Sequence, residues 1–319
     1  MKNSNEIDIA QKLIRCKSIA PNANNALSVV EKECKAIGFK CTKLKFSEKG
    51  YDSISNLYAE IGNGKPHFSF AGHVDVVPAN KKDWSVDPFK GVIKNNSLWG
   101  RGAVDMKSAI ACFLLASKNY LKENKNFKGK ISLLVSGDEE QYALNGTPKI
   151  LKWLKKKKIK INNCLVGEPT NLNVLGDQIK IGRRGGYNGV VTVFGKEGHS
   201  AWPSRTKNPV SALIKMLTNI DKKVLDRGTK HFQPSIISIT SVDVGNEALN
   251  VIPSKAIGCF NIRFNPKHTI KSLTKWIKNE FNKVGFKYKL DLYVSGNAFL
   301  TKPGKFSELI KKCVKKITK

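Results

Sequence analysis

A chain of 319 residues, 40% hydrophobic and 8% aromatic, has enough apolar material for one large or two medium domains, each with its own core, which excludes a wholly disordered chain. Its 56 Lys and Arg against 25 Asp and Glu leave a formal charge of +31, and such a charge suggests a basic nucleic-acid-binding module. The residue types argue against that module: 49 of the 56 basic residues are Lys, only seven are Arg, the side chain that grips phosphate and guanine with two bonds, and no focused stripe with interleaved aromatics is present.

The opening residues MKNSNEIDIAQKLIRC carry acids and no apolar block, so no secretory signal is expected, and no apolar run reaches the length of a membrane span. The seven cysteines (Cys16, Cys34, Cys41, Cys112, Cys164, Cys259 and Cys313) are scattered without a CxxC pair, as reduced thiols in a cytoplasmic protein are.

In chain order, apolar residues at helical spacing predict helices over 6–16 and 23–38, the second ended by Gly38. Strands are expected at 40–46, 53–61 and 67–71, then a helix at 106–121, a strand at 131–136, a helix at 148–158 and a strand at 161–166. Short apolar strands alternating with amphipathic helices imply an α/β domain, a largely parallel sheet flanked by helices, over residues 1–180. From about Ile181 the pattern becomes strand 187–194, helix 209–220, strands 235–242 and 255–264, helix 269–284 and strand 288–294. That βαββαβ order is the ferredoxin-like α+β arrangement, here a unit inserted over 181–294. A last helix, 305–317, has no partner in that unit, so residues 295–319 are expected to return to the first domain. The lysine run 155–158 reads as a solvated helix end.

Chemistry-bearing residues collect at strand ends. FSFAGHVDVVP places His73 and Asp75 two apart at the end of an apolar strand, on one face; alone, such a pair is as well explained by a hydrogen-bonded turn as by a metal site. LWGRGAVDMKSA puts Asp105 in a Gly-rich turn before a helix, where Asp also serves as an N-cap. SGDEE supplies Asp138, Glu139 and Glu140 after the strand ISLLVSG, and LVGEPT supplies Glu168 after another. Adjacent carboxylates repel unless a cation neutralises them, and open α/β sheets place ligands at the C-terminal ends of their strands. One metal centre at that edge accounts for all four segments better than four unrelated surface acids.

With these segments, the runs NGT, GDQIKIGRRG, GHSAWP, LNVIP and FLTKPG make the chain resemble the M20 metallopeptidase and deacylase family from its first helix to its last. The resemblance implies a zinc-hydrolase catalytic domain with a ferredoxin-like lid and dimerisation domain, and the later motifs point to hydrolysis of N-succinyl-LL-2,6-diaminopimelate. Acetylornithine deacetylation and carboxypeptidase action are the alternatives within the family. It makes His73 and Glu168 ligands of one zinc, Asp105 a bridge between two zincs, and Glu140 a ligand of the second, with cobalt able to substitute. Asp75 is then the partner that orients His73, and Glu139 the general base. A cis peptide is implied between Asp105 and Met106. Arg183 in GRRG and Arg263 in NIRF match positions that bind substrate carboxylates. His199 and Asn250 match positions that reach the partner subunit's site in a homodimer; without the resemblance each is an ordinary loop residue. The family pattern continues with a Thr-Ser-Asp loop, a strand and a final His for the second zinc. Those features are not among the 319 residues, so the resemblance reads the chain as C-terminally truncated, with an incomplete second site, about one tight zinc, little activity and poor solubility expected.

Overall fold

The structure, a computed structural model, describes residues 5–318. Helix α1 (Glu6–Arg15) opens on a capping box in which the Asn5 side chain accepts from Asp8 N–H and the Asp8 carboxylate accepts from Asn5 N–H, and it buries Ile9, Ala10, Leu13 and Ile14 on one face. Helix α2 (Asn24–Ile37) stops at Gly38, whose φ of 103° suits only a residue without Cβ. Strands β1 (Lys40–Phe46), β2 (Ile54–Asn63) and β3 (His67–His73) follow. Next comes a hairpin, β4 (Val92–Lys94) and β5 (Ser97–Trp99), turned by Asn95 and Asn96 with φ of 51° and 57°. A tight turn over Ala103–Lys107 leads into α3 (Ser108–Glu123), then β6 (Gly129–Ser136), α4 (Thr147–Lys156) and β7 (Asn163–Val166) complete the unit.

Its sheet runs β1-β2-β6-β3-β7. The β6, β3 and β7 strands are parallel, whereas β2 runs antiparallel to both its neighbours, β1 and β6, so the sheet is mixed. Alternation along the strands divides the apolar residues between its two faces. Leu57, Ala59, Leu133 and Val135 pack with α1, α2 and α3, while Tyr58 and Leu134 pack with Ile150 and Leu154 of α4.

The second unit contains β8 (Gly182–Arg183), β9 (Gly185–Phe194), β10 (Gly198–His199), α5 (Pro209–Asp221), β11 (Ile236–Asp243) and β12 (Val251–Ile252). It continues with β13 (Lys255–Phe264), α6 (Ile270–Asn282), β14 (Tyr288–Gly296), β15 (Phe299–Leu300) and α7 (Lys305–Thr318). Strands β11-β13-β9-β14 form an antiparallel sheet in that order, and Tyr187, Val191 and Val193 of β9 form one core with Leu213 and Met216 of α5 and Ile277 and Phe281 of α6. This is the ferredoxin-like arrangement. The chain divides after Asn171 rather than at 180. Helix α7, expected to return to the first domain, groups with the second unit: its Val314 and Thr318 lie over Gly176, in the stretch 172–180 that itself belongs to that unit. Among the described residues no helix is long and apolar enough to cross a membrane.

Candidate metal centre

Because β6, β3 and β7 run parallel, their C-terminal ends lie along one edge of the sheet, where open α/β folds hold their ligands. His73 ends β3 in register with Ser136, which ends β6; Glu139 and Glu140 follow three and four residues later. Glu168 stands two residues beyond β7. Asp105 comes from the turn before α3. The Nε2 of His73 lies 2.9 Å from Asp105 Oδ1, 3.5 Å from Glu168 Oε1 and 3.9 Å from Glu139 Oε2. Donor atoms of His73, Asp105 and Glu168 lie within 4.8 Å of one another, a spacing that one metal ion can span.

Two glycines make this possible. Met106 is fully buried, and its thioether lies where a Cβ on Gly72 would stand; the Sδ also receives the His73 N–H at 3.4 Å. A Cβ on Gly167 would meet the Phe70 ring, Met106 Cε and Ala109 Cβ. Phe70 is itself stacked on Phe113 with centroids 4.6 Å apart, so that wall has little room to move. Gly167→Ala is therefore expected to cost about 1–3 kcal/mol of stability by overpacking and, by displacing the neighbouring Glu168, to weaken metal binding. Urea unfolding of the metal-free protein and a metal titration check the two effects; wild-type values in both would show that the wall yields.

The Asp105–Met106 peptide is cis. Beneath this turn Lys107 is fully buried, its Nζ donating to Leu13 O at 2.9 Å and Cys16 O at 3.0 Å, so the last carbonyls of α1 cap the ammonium. Burial pulls its pKa down to about 8, with Cys16 and Asp75 acting in the opposite sense.

Asp75 is completely buried and does more than face His73. Its Oδ2 accepts the backbone N–H of both Glu139 and Glu140 at 2.9 Å, which fixes the segment carrying those two carboxylates. The His73 Nδ1 lies 3.0 Å from the Asp75 backbone oxygen and 3.6 Å from Oδ1, an atom that is buried without a hydrogen-bond partner. Nδ1–H donation to that carbonyl leaves Nε2 directed at the acidic cluster, the arrangement a metal-ligating imidazole needs. Asp138 is structural, accepting the N–H of Ala143 at 3.1 Å and of Asn145 at 2.8 Å.

The electrostatics call for a cation. Burial raises the Glu168 carboxyl, His73 draws it back, and the charges of Asp105 and Glu139 push it up again, to about 7. Glu140 is also raised, first by burial and then by Asp105. Burial opposes charge on His73, yet Asp75 and Glu168 outweigh it and push the imidazole up to about 10. One imidazole nitrogen and two carboxylate oxygens converging in a strongly negative, half-buried edge fit a zinc-type ligand set with room for water.

The substrate-facing residues expected from sequence lie in the second unit. His199 and Asn250 are side by side where β10 pairs with β12: Asn250 Nδ2 is 3.4 Å from His199 Nε2, and Asn250 O accepts from Ser200 N–H at 2.8 Å. Arg183, exposed on β8, lies opposite Phe299 of β15. Arg263, exposed on β13, lies opposite Gly186 of β9, which a Cβ would crowd against its Nη1. Among the described residues neither arginine has a carboxylate partner, so both forks are free for an anion. His67 is spoken for by Ser132 Oγ at 2.8 Å and Lys160 O at 2.9 Å.

Comparison with known proteins agrees with this geometry. The model of peptidase family M20/M25/M40 matches residues 69–319. The chain belongs to that family. It is 50% identical over 317 residues to a succinyl-diaminopimelate desuccinylase of Parvibaculum lavamentivorans, covering 98% of this chain and 80% of the relative. To the succinyl-diaminopimelate desuccinylase of Pelagibacter ubique it is 50% identical over 324 residues, covering 100% of this chain and 84% of the relative. An M20 family metallo-carboxypeptidase from Sulfolobus solfataricus shares the fold with a TM-score of 0.74 at 20% identity, over 98% of this chain and 84% of that one. The protein is thus an M20 hydrolase whose sheet edge carries a candidate metal site.

Proposed function

We propose that this M20 hydrolase removes the succinyl group of N-succinyl-LL-2,6-diaminopimelate, releasing succinate and LL-2,6-diaminopimelate, a cytoplasmic step of lysine and diaminopimelate biosynthesis. What carries the reading is 50% identity, over 98% or more of this chain, to relatives bearing the desuccinylase name. In this reading His73, Asp105 and Glu168 would hold one zinc, and Asp105 and Glu140 would contribute to holding a second; cobalt would be able to substitute. When bound, zinc acidifies water and polarises an amide carbonyl. Glu139, half exposed with its Oε2 3.9 Å from His73 Nε2, accepts the proton of the attacking water and returns it to the leaving amine. Arg183 and Arg263 grip substrate carboxylates through their planar forks. The net charge of +31 favours encounter with a polyanionic substrate.

Extended to the full length of its desuccinylase relatives and loaded with zinc, the protein is expected to hydrolyse N-succinyl-LL-2,6-diaminopimelate with a far higher kcat/KM than N-acetylornithine or peptides. A better rate with acetylornithine would place the protein on another branch of the family.

The functional unit of this proposal is a homodimer in which His199 and Asn250 serve the partner subunit's site. A mixture of inactive Glu139→Gln and inactive His199→Ala proteins should then regain activity after subunit exchange, because one of the two sites in each mixed dimer is intact. Absence of recovery despite proven exchange would count against action in trans.

A further inference from the structure

The loop between α5 and β11 is organised around one carboxylate that the mechanism above does not use. The Asp226 side chain is 6% exposed and accepts four hydrogen bonds: Gly228 N–H at 2.6 Å and Asn265 Nδ2 at 2.6 Å on Oδ1, Ser235 N–H at 3.2 Å and His268 Nε2 at 3.0 Å on Oδ2. Burial alone would raise its carboxyl; donation from Ser235, Gly228 and Asn265 outweighs burial and holds it well below the usual carboxylate range. Two further bonds fasten the loop to the entry of α6: Asn265 N–H donates to Ser235 Oγ at 2.9 Å and Lys267 Nζ to Gly228 O at 2.8 Å. Within the loop, Thr229 Oγ1 accepts from the N–H of His231 and of Phe232.

The far side of the same loop grips β8. The Phe232 ring lies where a Cβ on Gly182 would stand, and Pro234 O accepts from Arg184 Nη1 at 3.3 Å. The residues on either side of Arg183 are therefore both held by the loop. β8 is also paired with β15, and Thr301 N–H donates to Ile181 O at 2.7 Å. A two-residue strand has no stiffness of its own, whereas a bidentate guanidinium contact demands a fixed fork.

We infer that Asp226 is a positioning residue for substrate binding: through the loop 226–235 it sets the strand that presents Arg183 to a substrate carboxylate. The inference rests on the reading of Arg183 given above. Its signature is a loss of substrate affinity with the metal site untouched, since none of these contacts involves a metal ligand.

The test is calorimetric titration of N-succinyl-LL-2,6-diaminopimelate into zinc-loaded protein carrying Glu139→Gln, so that binding is read without turnover. Asp226→Asn and, separately, Arg184→Met are each expected to weaken binding about tenfold, equivalent to one misaligned charge-assisted bond, with zinc affinity unchanged. The pair combined should lose little more than either alone, because both cut one chain of contacts. Arg183→Ala should weaken binding further and abolish the effect of the other two. Should Asp226→Asn fail to fold, Arg184→Met decides alone, since it removes only the outer link. Unchanged affinity in Arg184→Met, or in a folded Asp226→Asn, while Arg183→Ala still weakens binding, overturns the positioning role. Unchanged affinity in Arg183→Ala instead removes the underlying reading, and the inference with it.

Discussion

Glu139→Gln is expected to lower turnover about 10²- to 10⁴-fold while the protein keeps its metal, because an amide fills the same space and cannot take a proton. The position of Glu139 is set mainly by its backbone: Asp75 Oδ2 accepts its N–H, and the side chain is half exposed, so the substitution should leave the segment where it is. Metal analysis and steady-state kinetics on the same preparation separate the two outcomes. Wild-type kcat with full metal would move the base to another residue, and loss of metal would make Glu139 a ligand.

His73→Ala is expected to abolish tight zinc binding. The ring supplies the only nitrogen in the cluster, and its loss leaves Asp105 and Glu168 facing each other with no imidazole between them. The effect should exceed the roughly 10- to 100-fold cost of removing an outer partner of a metal ligand. Zinc should also stabilise the native protein, by about 2.7 kcal/mol at a hundred times its Kd, and that gain should vanish in the variant. Thermal unfolding with and without chelator measures it. A variant that still gains stability from stoichiometric zinc would mean that the ion is held elsewhere.

Much of the edge is legible in sequence because its parts are local. An apolar strand followed by His, by Asp-Glu-Glu or by Glu needs only the strand to be found, and the helix and strand periods behave as expected from α1 to α7. What tertiary structure decides is hidden. Asp75 reads as an orienter of His73, yet its carboxylate spends two bonds on the backbone of residues 64 and 65 positions away. Lys107 lies in a chain full of solvated lysines, and only the packing of α1 on the turn before α3 makes it a buried one. The hairpin β4–β5 carried a usable signal, Asn-Asn between short apolar stretches, but three-residue strands fall below any periodicity. The two-residue ladders β8–β15 and β10–β12 join distant segments and leave no local trace. Asp226 looked like one acid among 25 until the loop closed around it.

The capping of Lys107 by α1 also bears on how the protein is made. The carbonyls of Leu13 and Cys16 leave the ribosome 94 and 91 residues ahead of the ammonium that closes on them, and the parallel strand β7 comes later still. Such long-range closures are slow to form. A fusion partner or deletion at the N-terminus that displaced α1 would therefore reach the bend at Asp105 without touching a ligand.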